Sequence, residues 1–277
     1  MFFTGAKQII LEGREGKELI ISLLRINRGC QRRRNLCYTE CMTTLTANQI
    51  SQLHSNGVYT TSPEHPLFTL ETLSSSTVGK DLLTILQTVS QSPNMTVAVS
   101  FFMRRYGMFT AMQLAQFIQY EELWQGNPDE LQFGAVLEYG NMTVSTYPKV
   151  NGWIEVPIED SANVVRKLLV QIQTVINALR LVASVSPNVL WENVFGFWLW
   201  QFHVMLNDPT CTDEARVVFN ELKDDSAWEG ISSHSRFSSY LNGCEPTDLL
   251  NTTVRKTCCL SKDVPGLMQC GFCPLKE

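Results

Sequence analysis

Four of the nine cysteines in this chain lie within its last twenty residues. They occur as Cys258-Cys259, ten intervening residues, and then Cys270-Gly271-Phe272-Cys273. Four thiolates are the ligand set of a tetrahedral Zn²⁺ site and also of an iron-sulfur cluster. The sequence therefore predicts a metal or cluster site at this end of the chain, which the fold must assemble from both cysteine pairs.

The spacing of these cysteines favours iron-sulfur chemistry over ordinary zinc. A zinc ribbon uses two spaced C-x₂₋₄-C pairs, whereas the consecutive side chains of Cys258-Cys259 diverge and are awkward ligands for a single ion. Gly266 and Gly271 lie in the same segment, and glycine permits the close backbone approach through which amide N–H groups reach cluster sulfurs. The basic dipeptide Arg255-Lys256 directly before the pair favours the thiolate state.

The composition is that of a folded protein without a nucleic-acid footprint. The chain has 277 residues, of which 44% are hydrophobic and 18% are charged, so it can bury a substantial core. Its formal net charge is −5, whereas nucleic-acid-binding proteins usually carry a basic surface. The apolar runs are interrupted by charged or amide side chains well short of about 20 residues, so we expect no transmembrane helix.

Residues 1–41 differ from the rest of the chain in carrying a net charge of +4. Their basic cluster Arg32–Arg34 is interpreted as a solvated surface, and Cys30, Cys37 and Cys41 are too unevenly spaced for a good metal-site template. We therefore expect an N-terminal extension at 1–41, a main domain at 42–256 and a cysteine-rich segment at 257–277. No signal-peptide pattern is present, and available thiols fit a reducing compartment, so we expect a cytoplasmic protein.

The periodicity from Met42 onward is mostly helical. Apolar spacings predict helices over 78–91, 97–120, 212–222 and 235–241, and Val165 to Val182 trace an apolar stripe with a cap at Asp160 or Ser161. Residues 133–139, a Gly140-Asn141 turn and residues 142–147 predict a β-hairpin, to which 152–157 add a third strand. The sequence thus predicts an α+β protein that is predominantly helical, with a small antiparallel sheet and a cysteine-rich tail.

An aromatic run follows Pro187. It holds five aromatic residues from Phe195 to Phe202, after the segment Leu190-Trp191-Glu192-Asn193. Aromatic side chains at helical spacing indicate a helix that is buried on most of its surface. The amide of Asn193 must be hydrogen-bonded if it is buried there.

The motifs of common nucleotide and hydrolase sites are missing. The chain contains no G-x-G dinucleotide fingerprint and no G-x-x-x-x-G-K phosphate loop, and its four histidines form no H-x-x-x-H pair. No nucleophile-elbow pattern is present. The cysteine-rich tail is therefore the most specific functional signal.

The segment Arg255-Lys256-Thr257-Cys258-Cys259, ten residues and Cys270-Gly271-x-Cys273 resembles the C-terminal signature of the FhuF-like ferric siderophore reductases. In that family a C-C-x₁₀-C-x₂-C pattern holds a 2Fe-2S cluster, and all four cysteine positions match. Leu190 to Asn193 with Trp200 also resembles an upstream tryptophan and asparagine motif. The similarity is tight over the last twenty or so residues, looser from Met42 to Leu250 and absent from residues 1–41.

This resemblance implies a cytoplasmic enzyme that reduces Fe³⁺ held in an imported, usually hydroxamate-type, siderophore. The ligands of its 2Fe-2S cluster, a one-electron carrier, would be Cys258, Cys259, Cys270 and Cys273. Hard oxygen donors hold Fe³⁺ far better than Fe²⁺, so one electron labilises the iron. Without a nicotinamide or flavin fingerprint, the protein would need an external donor such as a ferredoxin, a flavodoxin or their reductase. A peripheral association with the inner face of the cell membrane would fit this role.

For the siderophore pocket the sequence suggests Trp191, Asn193, Trp200 and Arg105. Aromatic and amide groups can seat a chelate, and Arg104-Arg105 can attract an anionic complex. The alternative is that the tryptophans belong to the core and that the arginines are solvated or cap a helix.

Two other functions fit the same cysteines. The tail can be a structural Cys₄ zinc knot in a non-enzymatic interaction protein. It can also be an iron or redox sensor, in which cluster loss or a Cys258–Cys259 disulfide alters partner binding. Of the three, only a reductase is expected to combine a reversible one-electron centre with turnover of ferric siderophore.

Overall fold

The computed structural model describes residues 45–74, 79–138, 140–267 and 269–275, so the predictions for residues 1–41 and for Cys30, Cys37 and Cys41 lie outside the described residues. The helices are α1 (Ala47–Ser55), α2 (Leu70–Ser74), α3 (Gly79–Ser90), α4 (Met95–Tyr120), α5 (Ser161–Val182), α6 (Pro187–Leu206), α7 (Thr212–Lys223), α8 (Arg236–Leu241) and α9 (Pro246–Leu249). The strands are β1 (His65–Thr69), β2 (Glu122–Trp124), β3 (Leu131–Glu138), β4 (Asn141–Pro148) and β5 (Trp153–Glu155). The predicted fold class, predominantly helical α+β with a small antiparallel sheet, is confirmed.

Two long helices, α4 and α6, pack against each other and carry the tail. Helix α4 is apolar on all sides and is therefore buried along most of its length. It begins where the Asn94 side chain accepts a hydrogen bond from the Val97 N–H at 3.0 Å. Gly107 permits the close packing, because a Cβ at that position would lie 3.0 Å from the Cα of Val194 on α6. Both helices were predicted, and half of the residues of α6 are buried.

The apolar stripe of α5 faces the core as predicted. Its buried members are Val165, Leu168, Leu169, Ile172, Val175, Ile176 and Leu179. The stripe ends at Val182, which is half-buried. Asp160 occupies the N-cap position, where its side chain accepts a hydrogen bond from the Asn163 amide rather than from the backbone.

The predicted hairpin is formed by β3 and β4. They pair antiparallel from Leu131 opposite Pro148 to Glu138 opposite Asn141. Strand β4 begins at Asn141, which the prediction assigned to the turn, and Gly140 adopts a φ of +81° that favours glycine.

The third strand of this sheet is not the predicted one. Strand β1 pairs with β3 and gives the order β1-β3-β4, although Pro66 obscures β1 in the sequence; proline is tolerated at a sheet edge. Trp153–Glu155 does form a strand, but it pairs with β2 in a separate two-stranded sheet. A 3₁₀ turn at Val150–Gly152 separates β5 from β4, and the buried Trp153 pairs with Trp124 of β2.

The tail beyond α9 lies against the rest of the domain without a long regular element. It contains a 3₁₀ turn at Ser261–Asp263, and Val264, 5% exposed, belongs to the core cluster. Among the described residues, no helix has the length and apolar character needed to cross a membrane.

Candidate metal centre

The tail places its four cysteines in two kinds of environment. Cys259 and Cys273 are buried, with 3% and 2% of their surface exposed. Cys258 and Cys270 are half-buried. All four are free thiols. Each pair therefore contributes one buried sulfur and one that is partly accessible.

Cys259 and Cys270, one from each pair, interact directly. The chain between them turns at Leu260, with a φ of 60°, and at Gly266, with a φ of 77°. The two side chains lie near each other, and the Ser261 hydroxyl lies 3.1 Å from the Cys259 sulfur. The fold thus brings together the two motifs that the sequence separates.

The interaction between the Cys259 and Cys270 thiols drives their pKa values apart. It lowers the pKa of Cys259 to about 4, an effect that burial opposes and Arg104 reinforces. The interaction with Cys259 raises the pKa of Cys270, and burial raises it further. Of the two cysteines, Cys259 is therefore the one whose environment favours the thiolate.

Backbone amides supply further hydrogen bonds to the sulfurs. The N–H of Leu260 donates to Cys258 Sγ at 3.3 Å, and the N–H of Leu275 donates to Cys273 Sγ at 3.4 Å. Cys270 also accepts a bond from the amide two residues after it. Hydrogen bonds of this kind stabilise the thiolate form, which is the form that binds metals.

Arg104 of α4 brings a positive charge to the cysteines. Its Nη1 atom lies 3.8 Å from Cys259 Sγ. Burial lowers the pKa of Arg104, and the neighbouring Cys259 and Cys270 oppose that shift. Because arginine stays protonated in proteins, this guanidinium offsets the charge of a thiolate site.

A buried ion pair, here called the Glu192–Arg255 latch, fastens the tail to α6. The Glu192 carboxylate accepts the N–H groups of Lys256 at 3.2 Å and Thr257 at 2.9 Å, while Arg255 donates to the Glu192 carbonyl at 3.0 Å. Arg255 Nε lies 3.7 Å from Glu192 Oε2, and these side chains are only 4% and 9% exposed. The latch fixes the residues directly before Cys258. In the sequence, this latch is indicated by a carboxylate within an aromatic run, because a carboxylate that is buried needs a partner.

Asn193 supports Cys259 through Ser100. Its Nδ2 donates to the carbonyl and the hydroxyl of Ser100, both at 2.9 Å, and Ser100 Oγ donates to the Cys259 carbonyl at 2.7 Å. Asn193 is 1% exposed, so it belongs to the scaffold beneath the cysteines. The expectation that a buried Asn193 is hydrogen-bonded is thus met, whereas nothing in the sequence singles out Ser100.

The four residues suggested for a siderophore pocket are placed in different environments. Trp191 is 1% exposed and stacks on Phe195 with ring centroids 5.4 Å apart, whereas Trp200 is 50% exposed. Asn193 donates to Ser100, which in turn donates to the Cys259 carbonyl. Arg105 forms an ion pair with Glu138 at 3.0 Å and lines a cavity.

This cavity, here called the tail cavity, has a volume of about 280 Å³, and its lining includes Arg104, which contacts Cys259. It is enclosed by α4, the β3–β4 hairpin, α6 and the tail. Its lining includes Arg104, Arg105 and Met108 of α4, Met142 of the hairpin, Phe197 of α6 and tail residues 264–267. The cavity thus joins one of the suggested residues, Arg105, to the neighbourhood of Cys259.

The donor set of the tail fits a thiolate-bound group. Cys259 and Cys270 interact, and Lys262 experiences the charges of both Cys258 and Cys273. Within residues 45–74, 79–138, 140–267 and 269–275, no three His, Cys, Asp or Glu side chains converge on one metal position. Four thiols are the donor type that such a group requires, and Cys259 and Cys270 lie near each other.

No protein-family model, no curated protein and no solved structure matches this chain.

Proposed function

We propose that the protein is a ferric siderophore reductase that passes one electron at a time from an external donor to chelated Fe³⁺. The observation that carries the proposal is the contact between Cys259 and Cys270, which joins the two cysteine pairs in one site. The resemblance of the C-C-x₁₀-C-x₂-C spacing to that of the FhuF-like reductases supports the same chemistry.

The residues that would hold a 2Fe-2S cluster are Cys258, Cys259, Cys270 and Cys273. Bound there, the cluster would supply a one-electron carrier. The amides that donate to Cys258 and Cys273 stabilise thiolates before binding. Arg104 and these amides would raise the reduction potential of such a cluster, because hydrogen bonds and positive charge favour the more negative, reduced state.

The electron balance requires a donor and a ferric substrate. One electron from a reduced ferredoxin, flavodoxin or related reductase converts one Fe³⁺ to Fe²⁺, and the donor leaves oxidised by one electron. Oxygen chelators, usually hydroxamates in this setting, hold Fe²⁺ far less tightly than Fe³⁺, so the iron is released for assimilation. We expect the reaction to take place in the cytoplasm, peripherally at the inner face of the cell membrane, where imported chelates arrive.

The first test is the metal content of anaerobically purified protein. Iron, acid-labile sulfide and zinc are measured on one sample, with visible absorption and EPR spectra before and after dithionite. We expect about two irons and two sulfides per chain and an EPR signal on reduction. One zinc in a colourless, EPR-silent sample would instead establish the structural Cys₄ knot.

A turnover assay separates the reductase from a sensor. Protein reduced with one electron is mixed anaerobically with a ferric trihydroxamate, and Fe²⁺ is followed with a chromogenic Fe²⁺ chelator. A reductase forms about one Fe²⁺ per electron supplied and continues when donor is added. A reversible centre without Fe²⁺ formation would indicate the sensor.

A further inference from the structure

Arg104 links the tail cavity to Cys259. Arg104 lines the cavity, and its Nη1 lies 3.8 Å from the Cys259 sulfur. Met108, about one helical turn further along α4, lines the same cavity. A molecule in the cavity would therefore contact Arg104, the residue whose guanidinium contacts the Cys259 sulfur.

Arg104 retains hydrogen-bonding capacity. A guanidinium carries five N–H donors, and among the described residues the Cys259 sulfur is the one hydrogen-bond acceptor for Arg104. The guanidinium of Arg105 is already hydrogen-bonded within the protein, since it donates to the Val144 carbonyl at 2.7 Å and to Glu138 at 3.0 Å. Arg104 is thus the cavity arginine that is able to bind an oxygen acceptor.

The other walls are largely apolar and the cavity is small. Phe101, Met142 and Phe197 contribute apolar surface, and the volume of about 280 Å³ is near the lower end of the roughly 300–1,000 Å³ of small-molecule sites. Leu137 and Met142, a cross-strand pair of the hairpin, are 66% and 37% exposed. A larger molecule could insert one edge into the cavity and extend over this apolar surface.

We propose that the tail cavity binds the edge of an oxygen-chelated ferric complex, and that Arg104 donates hydrogen bonds both to a chelate oxygen and to the Cys259 sulfur. This inference rests on the proposed reductase function. Oxygen atoms bound to Fe³⁺ keep lone pairs and negative charge, which a guanidinium recognises well. A chelate held there would share Arg104 with Cys259, and one electron passed from the external donor through the cysteine site would convert its Fe³⁺ to Fe²⁺.

Gallium(III) allows a test of binding that is independent of electron transfer, because Ga³⁺ carries the charge of Fe³⁺ but is not reduced by the protein. Binding of a gallium trihydroxamate to the full-length, anaerobically purified protein is measured by calorimetry. We expect the unaltered protein to bind and Met108→Trp, which fills the cavity, to weaken binding by about tenfold or more. Met108→Trp leaves the cysteines in place and is expected to keep the iron and sulfide content.

Arg104 is tested by a pair of substitutions. Arg104→Met is expected to weaken binding by about tenfold or more, because a charge-assisted hydrogen bond is lost. Arg104→Lys is expected to recover part of the affinity, since it keeps the charge but not the planar fork. Because Arg104→Met also removes a charge beside Cys259, its iron content and spectrum are measured in parallel.

Matched controls make the same kind of substitution at positions away from the cavity. Val170→Trp adds an indole on α5 at a side chain that is 44% exposed. Arg216→Met removes a guanidinium whose side chain is 44% exposed. Both are expected to bind the gallium complex as the unaltered protein does.

The two proposals fail in different ways. Absence of gallium binding by the unaltered protein, or unchanged affinity in Met108→Trp and Arg104→Met, would overturn the assignment of the tail cavity. Gallium binding that is lost in these variants, with no reduction of the ferric complex by protein carrying a reduced centre, would support the cavity and overturn the reductase function.

Discussion

At the scale of single residues, the cysteine site brings a buried cysteine of one pair next to a half-buried cysteine of the other. Cys259 is buried and meets Cys270, whereas Cys258 is half-buried and accepts the Leu260 N–H at 3.3 Å. Consecutive side chains diverge, which makes Cys258-Cys259 a poor chelate for one ion. The same divergence allows the two sulfurs to serve two different irons in a binuclear cluster.

Cys270→Ser removes the partner of Cys259 and a cluster ligand. We expect the variant to lose the iron, the acid-labile sulfide and the ferric siderophore reductase activity together. The helical domain is expected to stay folded, because Cys270 is half-buried and lies outside the core cluster. Metal analysis, turnover and far-ultraviolet circular dichroism on the same sample measure these three properties.

The control for this variant is Cys244→Ser, which changes an exposed cysteine before the tail. It is expected to keep the iron, the spectrum and the activity of the unaltered protein. Full turnover by Cys270→Ser protein that contains no cluster would contradict the proposed electron path.

At the scale of secondary-structure elements, the Glu192–Arg255 latch holds the tail on α6. Glu192→Ala would leave Arg255 buried without its carboxylate, and breaking a buried pair in this way costs about 3–5 kcal/mol. It would also remove the acceptor of the Lys256 and Thr257 N–H groups. We expect lower stability in urea and faster hydrogen exchange in residues 255–263.

The exposed pair between Arg216 and Glu245 provides the comparison. Its atoms lie 2.8 Å apart, but its side chains are 44% and 51% exposed. Glu245→Ala is therefore expected to cost less than about 1 kcal/mol. Equal losses in Glu192→Ala and Glu245→Ala would mean that the latch contributes no more than a surface contact.

The elements that the sequence predicted are those whose signal is local. The apolar stripe of α5 carries its own periodicity and the hairpin carries its own turn residues, and both are present. Strand β1 has only five residues and contains Pro66, so its local signal is weak. The partner of β5 depends on the distant strand β2, which no local pattern specifies.

At the scale of the whole molecule, the candidate site depends on contacts between distant parts of the chain. The spacing of the cysteines predicted the proposed ligands, because ligand spacing is a property of the sequence. Arg104 and Cys259 are 155 residues apart, and Ser100 and Cys259 are 159 apart. The cavity arginine, the latch and the Ser100 contact arise from tertiary packing, so the sequence could suggest Arg104 only by its charge.

Removal of the metal is expected to loosen the tail rather than the whole molecule. A group that binds only the folded tail stabilises it, and all four proposed ligands lie within residues 258–273. Without the metal, the latch and Val264 still hold the tail. The apolar stripe of α5 contains no proposed ligand, so it does not depend on the metal. Hydrogen exchange before and after treatment with a chelator and oxidant should rise in residues 258–275 and stay constant in α5. Cys270→Ser, treated identically, should show no further change, because it has no cluster to lose. A uniform rise across α5 and the tail would instead show that the metal stabilises the entire fold.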